Sequence, residues 1–267
     1  MKKVLSAFLT LTLLLLTLSL SSCSSEKTDL EYIKDKGEMI IGITYFKPMN
    51  YFENDELVGF ETEFAKAVCA ELGVTPKFQE IDWNAKETEL NAKNIDCIWN
   101  GMTITDERKE AMDISIPYMN NKQVMIVKKG NESKYTTPES LKDAKVVAEA
   151  KSAGADVAKT DEFFKLASYT DVDSQAKVLL EVKSGVADIG IIDYVMTIGS
   201  IGENTDYSDL VIVEGKSFAD EQYGIAFRKN SPETLKAVNE AIEKLRRDGT
   251  LLKLAEKYNL QDVLIKN

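Results

Sequence analysis

The chain has 267 residues, of which 44% are hydrophobic and 29% charged, enough to bury a core in one large domain or in two lobes of ordinary size. Its formal net charge is -11 and no Lys/Arg-rich block interrupts the acidic balance, which excludes a nucleic-acid partner. The absence of histidine removes the usual general base near neutral pH and the commonest metal ligand, so neither metal nor cofactor is expected.

Lys2 and Lys3 precede an apolar run from Val4 to Leu20, and no acid occurs before Glu26. A run of about 20 apolar residues can also span a bilayer uncleaved. The ending Ser19-Leu20-Ser21-Ser22-Cys23 favours a cleaved signal peptide over residues 1–22 instead. Leu20-Ser21-Ser22-Cys23 resembles the lipobox of bacterial lipoproteins, which implies that Cys23 is acylated and begins the mature chain. Residues 23–29 then read as a lipidated tether, and the protein as extracytoplasmic, lipid-anchored to the cell membrane at the cell surface or in the periplasm. Cys69 and Cys97 sit in a helical and a strand pattern, as apolar core residues do. An oxidising location permits a disulfide between them, but their spacing does not establish one.

Strand and helix patterns then alternate. Met39 to Thr44 is a buried-strand signal. Phe60, Phe64, Ala67, Val68 and Leu72 recur at helical spacing before Gly73. Thr75 to Glu80 reads as a strand, Trp83 to Asn91 as a helix and Asp96 to Asn100 as a strand, a βαβαβ order that implies a parallel sheet covered by helices. A second round has a helix start at Thr137-Pro138-Glu139, a strand from Lys145 to Ala150, helices over 155–166 and 174–183, and a strand from Ala187 to Ile192. Ser231-Pro232 opens a helix to about Arg247, and a shorter one follows Gly249 through Tyr258.

The two rounds share a detail. Glu89-Leu90-Asn91-Ala92-Lys93-Asn94-Ile95-Asp96 aligns with Glu181-Val182-Lys183-Ser184-Gly185-Val186-Ala187-Asp188, and both run into a buried strand. One helix–turn–strand unit used once in each of two similar lobes accounts for this; chance likeness of two ordinary units is the alternative. On that alignment Gly101 and Asp193 are equivalent, each at the carboxyl end of its strand, where open α/β sheets bind ligands. Beyond Gly101, Thr105 caps a helix whose first turn carries Asp106, Glu107 and Arg108. An arginine there is poorly placed for helix stability, so it serves something anionic or pairs with a neighbouring surface acid. An arginine fork facing Asp193 across a cleft would fit the two charges of an α-amino acid.

The stretches Gly59-Phe60-Glu61-Thr62-Glu63-Phe64, Asp82-Trp83, Gly101-Met102-Thr103-Ile104-Thr105-Asp106-Glu107-Arg108, Tyr223-Gly224-Ile225-Ala226-Phe227-Arg228-Lys229 and Asp248-Gly249-Thr250 resemble the family 3 solute-binding proteins. These are amino-acid-binding components of ABC transporters. The resemblance covers nearly the whole mature chain. It implies an α/β protein of the type II periplasmic-binding fold, with two similar lobes of mixed, mainly parallel sheets joined by a two-strand hinge. Residues 30–118 and 221–267 would form lobe 1 and residues 122–217 lobe 2, with the hinge at 118–122 and 217–221. It further implies that Arg108 binds the ligand α-carboxylate, helped by Thr103, the backbone at Gly101, and Ser152, while Asp193 binds the α-ammonium. Tyr45 and Tyr118, with Tyr51 and Trp99, are candidate pocket walls or ordinary core aromatics.

Three departures from the family pattern bear on specificity: Thr44-Tyr45-Phe46 where an acid is frequent, Met49 after Pro48 in place of an aromatic, and Lys151 where glycine usually precedes the Ser/Thr. Glu149 reads as a salt-bridged rim residue, with contact to a polar or basic ligand end as the alternative. The expectation is a non-enzymatic monomer that binds a polar or cystine-like amino acid for a permease and its ATPase subunits. A dehydratase-like periplasmic enzyme on the same fold and a sensory ligand-binding domain are the rivals.

Overall fold

In the computed structural model, residues 27–266 are described; the signal peptide expected over residues 1–22 and the expected lipidation at Cys23 lie outside them. Thr28 begins the order with a capping box, its hydroxyl accepting from the Glu31 N–H at 3.2 Å while the Glu31 carboxylate accepts from the Thr28 N–H at 2.9 Å. The helix it starts, α1 (Asp29–Lys36), leads into β1 (Glu38–Ile43), a hairpin of β2 (Tyr51–Glu53) and β3 (Glu56–Val58), α2 (Phe60–Leu72), β4 (Thr75–Glu80), α3 (Lys86–Asn91) and β5 (Cys97–Thr103). Next come α4 (Asp106–Ala111), β6 (Met112–Ile114) and β7 (Met119–Lys128). The second round is β8 (Lys145–Glu149), α5 (Ala153–Thr160), β9 (Ser168–Val172), α6 (Gln175–Ser184), β10 (Ile189–Asp193) and α7 (Tyr194–Ser200). The chain returns through β11 (Leu210–Arg228) to α8 (Pro232–Arg247) and α9 (Thr250–Lys257).

The two rounds have the same topology. β1 lies between β4 and β5, and β8 lies between β9 and β10, with every one of these pairs parallel. In each half the first strand is central, the second is at the outer edge and the third faces the crossing strands. The aligned aspartates play one role twice. The Asp96 N–H donates to the Ile40 carbonyl at 2.7 Å and its carboxylate accepts the Ile40 N–H at 2.7 Å. Asp188 does the same with Lys145, at 2.9 Å both ways. Each aspartate pins the third strand to the first, which is why the sequence repeats there.

β7 and β11 join the halves. Met119 to Val124 pairs antiparallel with Ser217 to Tyr223, β7 continues into pairing with β10, and β11 continues into pairing with β5. The two expected crossings therefore run side by side as one ladder. Bulges between Ile212 and Ser217 and between Phe218 and Asp220 interrupt that ladder. Each half is thus parallel in its outer strands and antiparallel where the crossing strands enter. Phe60, Phe64, Trp99, Tyr118 and Tyr223 fill the core beneath the first half; Met125, Leu141, Val146, Phe164 and Ile189 do so in the second.

Some expected boundaries move. The helix at 155–166 stops at Thr160, because Asp161 caps a separate turn at Glu162–Phe164, and Thr137-Pro138 starts only one 3-10 turn. Cys69 and Cys97 are both buried and unpaired. Among the described residues, no helix is long and apolar enough to cross a membrane.

Asp96 also receives the Lys36 ammonium at 2.7 Å and neighbours the Arg228 guanidinium at 3.6 Å. Asp96→Ala is expected to destabilise the protein by about 3–5 kcal/mol, because it removes the acceptor of the partly buried Lys36 ammonium and of the Ile40 N–H, and one of the two carboxylates beside the buried Arg228, which keeps Asp29. Asp188→Ala, which orphans only the Tyr135 hydroxyl and one backbone N–H, is expected to cost about 1–3 kcal/mol. Urea denaturation of the two variants checks the ordering.

Candidate functional site

The carboxyl ends of β5, β8 and β10 converge on one cleft, whose walls include Trp83, Thr103 and Arg108 from the first half and Glu149, Ser152, Gln175 and Asp193 from the second. The cleft is nearly shut, with about 10 Å³ of free space, roughly one water molecule's worth.

Thr105 caps α4 by accepting the Arg108 N–H at 3.1 Å, which fixes Arg108 in the first turn. The guanidinium is buried and donates to the Thr103 carbonyl at 2.8 Å and, across the cleft, to the Lys151 carbonyl at 3.4 Å. Neither is an acid: among the described residues the arginine ion pairs belong to Arg228 and Arg246. The surface-pair reading of Arg108 is thereby excluded, and its charge is left for something anionic.

Opposite it, the Asp193 carboxylate accepts from Asn121 and Gln123 on β7, at 2.6 Å each, and from Gln175 at the start of α6. The same two amides of β7 reach Glu221 on β11, at 2.9 and 3.0 Å, and Glu221 also accepts from the Thr103 hydroxyl at 3.2 Å. Two buried carboxylates thus share donors. Burial raises both pKa values, that of Glu221 to about 7 with the Asp193 charge adding to the effect; at Asp193 the amides offset only part of the rise.

Glu149, at the end of β8, departs from its rim reading. It is 4% exposed, it forms no ion pair among the described residues, and its Oε1 has no hydrogen-bond partner. Burial, followed by the Asp193 charge, pushes its pKa up to about 8. Lys86 lies over the Trp83 ring at 4.7 Å and donates to the Trp83 and Lys151 carbonyls at 3.3 Å each; burial and Arg108 lower its pKa to about 8.

Ser152 is where the sequence reading puts it, at the cleft, but its hydroxyl caps α5 by accepting the Ala155 N–H at 3.1 Å. The preceding Lys151 has a left-handed φ of 55°, the conformation that glycine adopts without strain. Lysine accepts that strain here while its carbonyl takes Arg108 and Lys86, and its ammonium donates to the Asn84 carbonyl at 3.0 Å.

Gly101 lines the cleft at a φ of 54°, and a Cβ would stand 3.0 Å from the Phe46 ring. Its N–H, expected to help a ligand carboxylate, instead donates to Glu61 at 2.7 Å. Only its carbonyl remains to be offered, and a carbonyl suits an ammonium. Glu61 also accepts from the Tyr118 hydroxyl and from Asn50 at 2.9 Å, and burial raises its pKa to about 7. Tyr118 is therefore no pocket wall. It is fully buried against Phe60 and Phe64, one layer behind the cleft. Trp99 is likewise core, edge-on to Phe64. Tyr45 and Tyr51 line a separate cavity of about 300 Å³ with Met196, Gly199 and Tyr207, where the halves also meet.

Gln175, Asn121, Gln123, Glu221 and Glu61 escape the sequence reading because polar residues in a strand or first helical turn look like solvated ones. The signals for them are that Glu61 lies in a family-like stretch and that Asn121 and Glu221 fall within the expected hinge segments 118–122 and 217–221.

Residues 39–261 match the family described as bacterial extracellular solute-binding proteins, family 3. The L-cystine-binding protein TcyJ of Escherichia coli (strain K12) is 31% identical over 237 residues, covering 88% of this chain and 87% of its own. The arginine-binding extracellular protein ArtP of Bacillus subtilis (strain 168) is 32% identical over 253 residues, covering 90% and 92%. Among solved structures, the ancestral amino acid-binding protein AncCDT-1, a precursor of cyclohexadienyl dehydratase, superposes with a TM-score of 0.77 at 33% identity, over 86% of this chain and 98% of that one.

Glu149, Glu221 and Glu61 hold their protons more tightly in the folded than in the unfolded chain. Their contribution to stability is full below the ordinary value of 4.5 and is lost as the pH rises through about 7 and 8. Lys86 acts in the opposite direction, but only above about 8, where the unfolded lysine still carries its charge. The urea midpoint without added amino acid is expected to fall between about pH 5 and about pH 8, and Glu149→Gln to flatten part of that fall.

Proposed function

We propose, from the premise that this chain belongs to the bacterial extracellular solute-binding proteins of family 3, that it captures an amino acid between two lobes for an ABC importer. The observation that carries this reading is the pairing of opposite deficits in one cleft. Among the described residues, Arg108 is buried and ion-paired to no acid, and Asp193 with its neighbour Glu221 is buried and ion-paired to no cation. A free α-amino acid supplies both missing charges at once. Its carboxylate takes the Arg108 fork, with Thr103 and the α5 N-terminus at Ser152 beside it, and its ammonium takes Asp193 and the Gly101 carbonyl.

Capture is by closure about β7 and β11, the hinge being residues 118–122 and 217–221 between lobe 1 (30–118 and 221–267) and lobe 2 (122–217). Closure strips water from the ligand charges and strengthens their pairing. Acylated Cys23 keeps the monomeric protein beside its permease, and the ATPase subunits supply the energy. That the relatives bear the names of binding proteins for cystine and arginine supports an amino-acid ligand. One observation favours a second reading, a dehydratase-like enzyme: the Glu149 carboxyl, at about 8, carries a proton at neutral pH that a leaving hydroxyl could take. A panel of hydroxylated amino acids recovered chemically unchanged after long incubation speaks for binding alone.

A thermal-shift screen of amino acids should identify the ligand, since 100 times the dissociation constant adds about 2.7 kcal/mol of stability. N-acetylation of that ligand, or conversion of its carboxylate to an amide, is expected to lose about a hundredfold in affinity, because one buried protein charge is left unpaired. Arg108→Ala should cost about 2–5 kcal/mol of binding, and Arg108→Lys should also fail because an ammonium cannot reproduce the fork. Calorimetry checks all of these, and a blocked ligand that binds like the free one would overturn the reading.

The anchor has its own test. Cells fed a clickable palmitate analogue should label the wild-type protein and not Cys23→Ala; label retained on the variant refutes the anchor.

A further inference from the structure

Under the zwitterion reading above, on which this rests, Arg108 and Asp193 are committed to the ligand α-groups and Glu149 is left over. It sits at the carboxyl end of β8, 4% exposed, in the same cleft, and its Oε1 has no partner among the described residues. The cations nearby are already engaged. Arg108 donates to two carbonyls, and Lys86 donates to two carbonyls over the Trp83 ring without forming an ion pair with Glu149. Without a ligand Glu149 holds its proton near neutral pH; ionised together with Asp193 and Glu221 it would outnumber Lys86 and Arg108 by one charge, which a zwitterion of no net charge does not offset and a ligand with one further positive charge does. An orphaned carboxylate beside a second carboxylate attracts a cation more than a neutral donor, because only a cation removes the cost of ionising it in place.

We infer that Glu149 is a specificity-determining residue that receives a second positive charge, so that the ligand class is α-amino acids with a cationic side chain. The neutral Trp83 indole N–H, also without a partner, lies on the wall beside it and has no charge of its own to offer that group.

L-arginine and L-citrulline test this, being alike in length and hydrogen-bonding shape but differing in side-chain charge. Calorimetry of the full mature protein at neutral pH should give L-arginine at least about tenfold tighter binding, the equivalent of one charge-assisted contact. Glu149→Gln, which keeps the shape and removes the charge, should bring the two affinities to within about threefold of each other. A wild-type protein that binds both equally, or a variant that keeps the full preference, overturns the role of Glu149 and assigns its charge to balance by Lys86. If another zwitterion such as L-glutamine or L-cystine binds while L-arginine does not, the inference fails and the zwitterion reading survives. If an amino acid binds as well with its α-groups blocked, the earlier reading is the one that fails.

Discussion

Charge buried without a counter-charge is the constraint on which this molecule turns. Holding a carboxyl pKa tenfold in acidity above its ordinary value costs about 1.4 kcal/mol, so ionising Glu149 in place, from 4.5 to about 8, costs several kcal/mol. Lys86 is depressed toward neutrality at the same seam. Groups of both signs are thus held in a low-dielectric slot where they cannot all satisfy one another. Such a slot is poorly made for stability and well made for a ligand that brings both charges with it.

The scaffold delivers these groups to one place by using a single unit twice. A strand order with the first strand central and the third facing inward brings the carboxyl ends of β5 and β10 to the same seam. The aspartates that open those strands are far from the cleft and fix strand position, whereas the residues that end them carry the chemistry. Asn121, Gln123 and Glu221 lie on the crossing strands themselves, and the two amides hold Asp193 and Glu221 together through hydrogen bonds. In the closure proposed above, a charge arriving at Asp193 would act directly on β7 and β11, with no longer path required.

Periodicity made part of this legible. The strands at Met39–Thr44 and Thr75–Glu80 and the helix opened by Ser231-Pro232 follow from apolar spacing and end signals that tertiary contacts do not override. Arg108 stood out by its place in a capped first turn and in a family-like stretch, and Ser152 through the resemblance alone; the structure sets both beside the cleft. β7 and β11 gave no periodic signal, because Asn120, Asn121, Gln123, Asp220 and Glu221 interrupt any apolar alternation, and only the family resemblance placed crossings near 118–122 and 217–221. Those residues are polar because the strands line the seam. β9 is an exposed edge strand with few apolar residues and gives an equally faint signal.

The chain alone therefore determined most of the helices and central parallel strands, that two similar units are present, and that Gly101 and Asp193 stand at equivalent strand ends. These are properties of local spacing and backbone chemistry, which every window of sequence carries with it. Tertiary structure decided the rest. It turned Tyr118 from a wall into a buried donor, took the Gly101 N–H for Glu61, and left the Glu149 Oε1 without a hydrogen-bond partner among the described residues. Whether a polar group is free or spent depends on what lies within about 3 Å of it in space. For Glu61 and Gly101, or Asp193 and Asn121, that neighbour is 40 or 72 residues away in the chain.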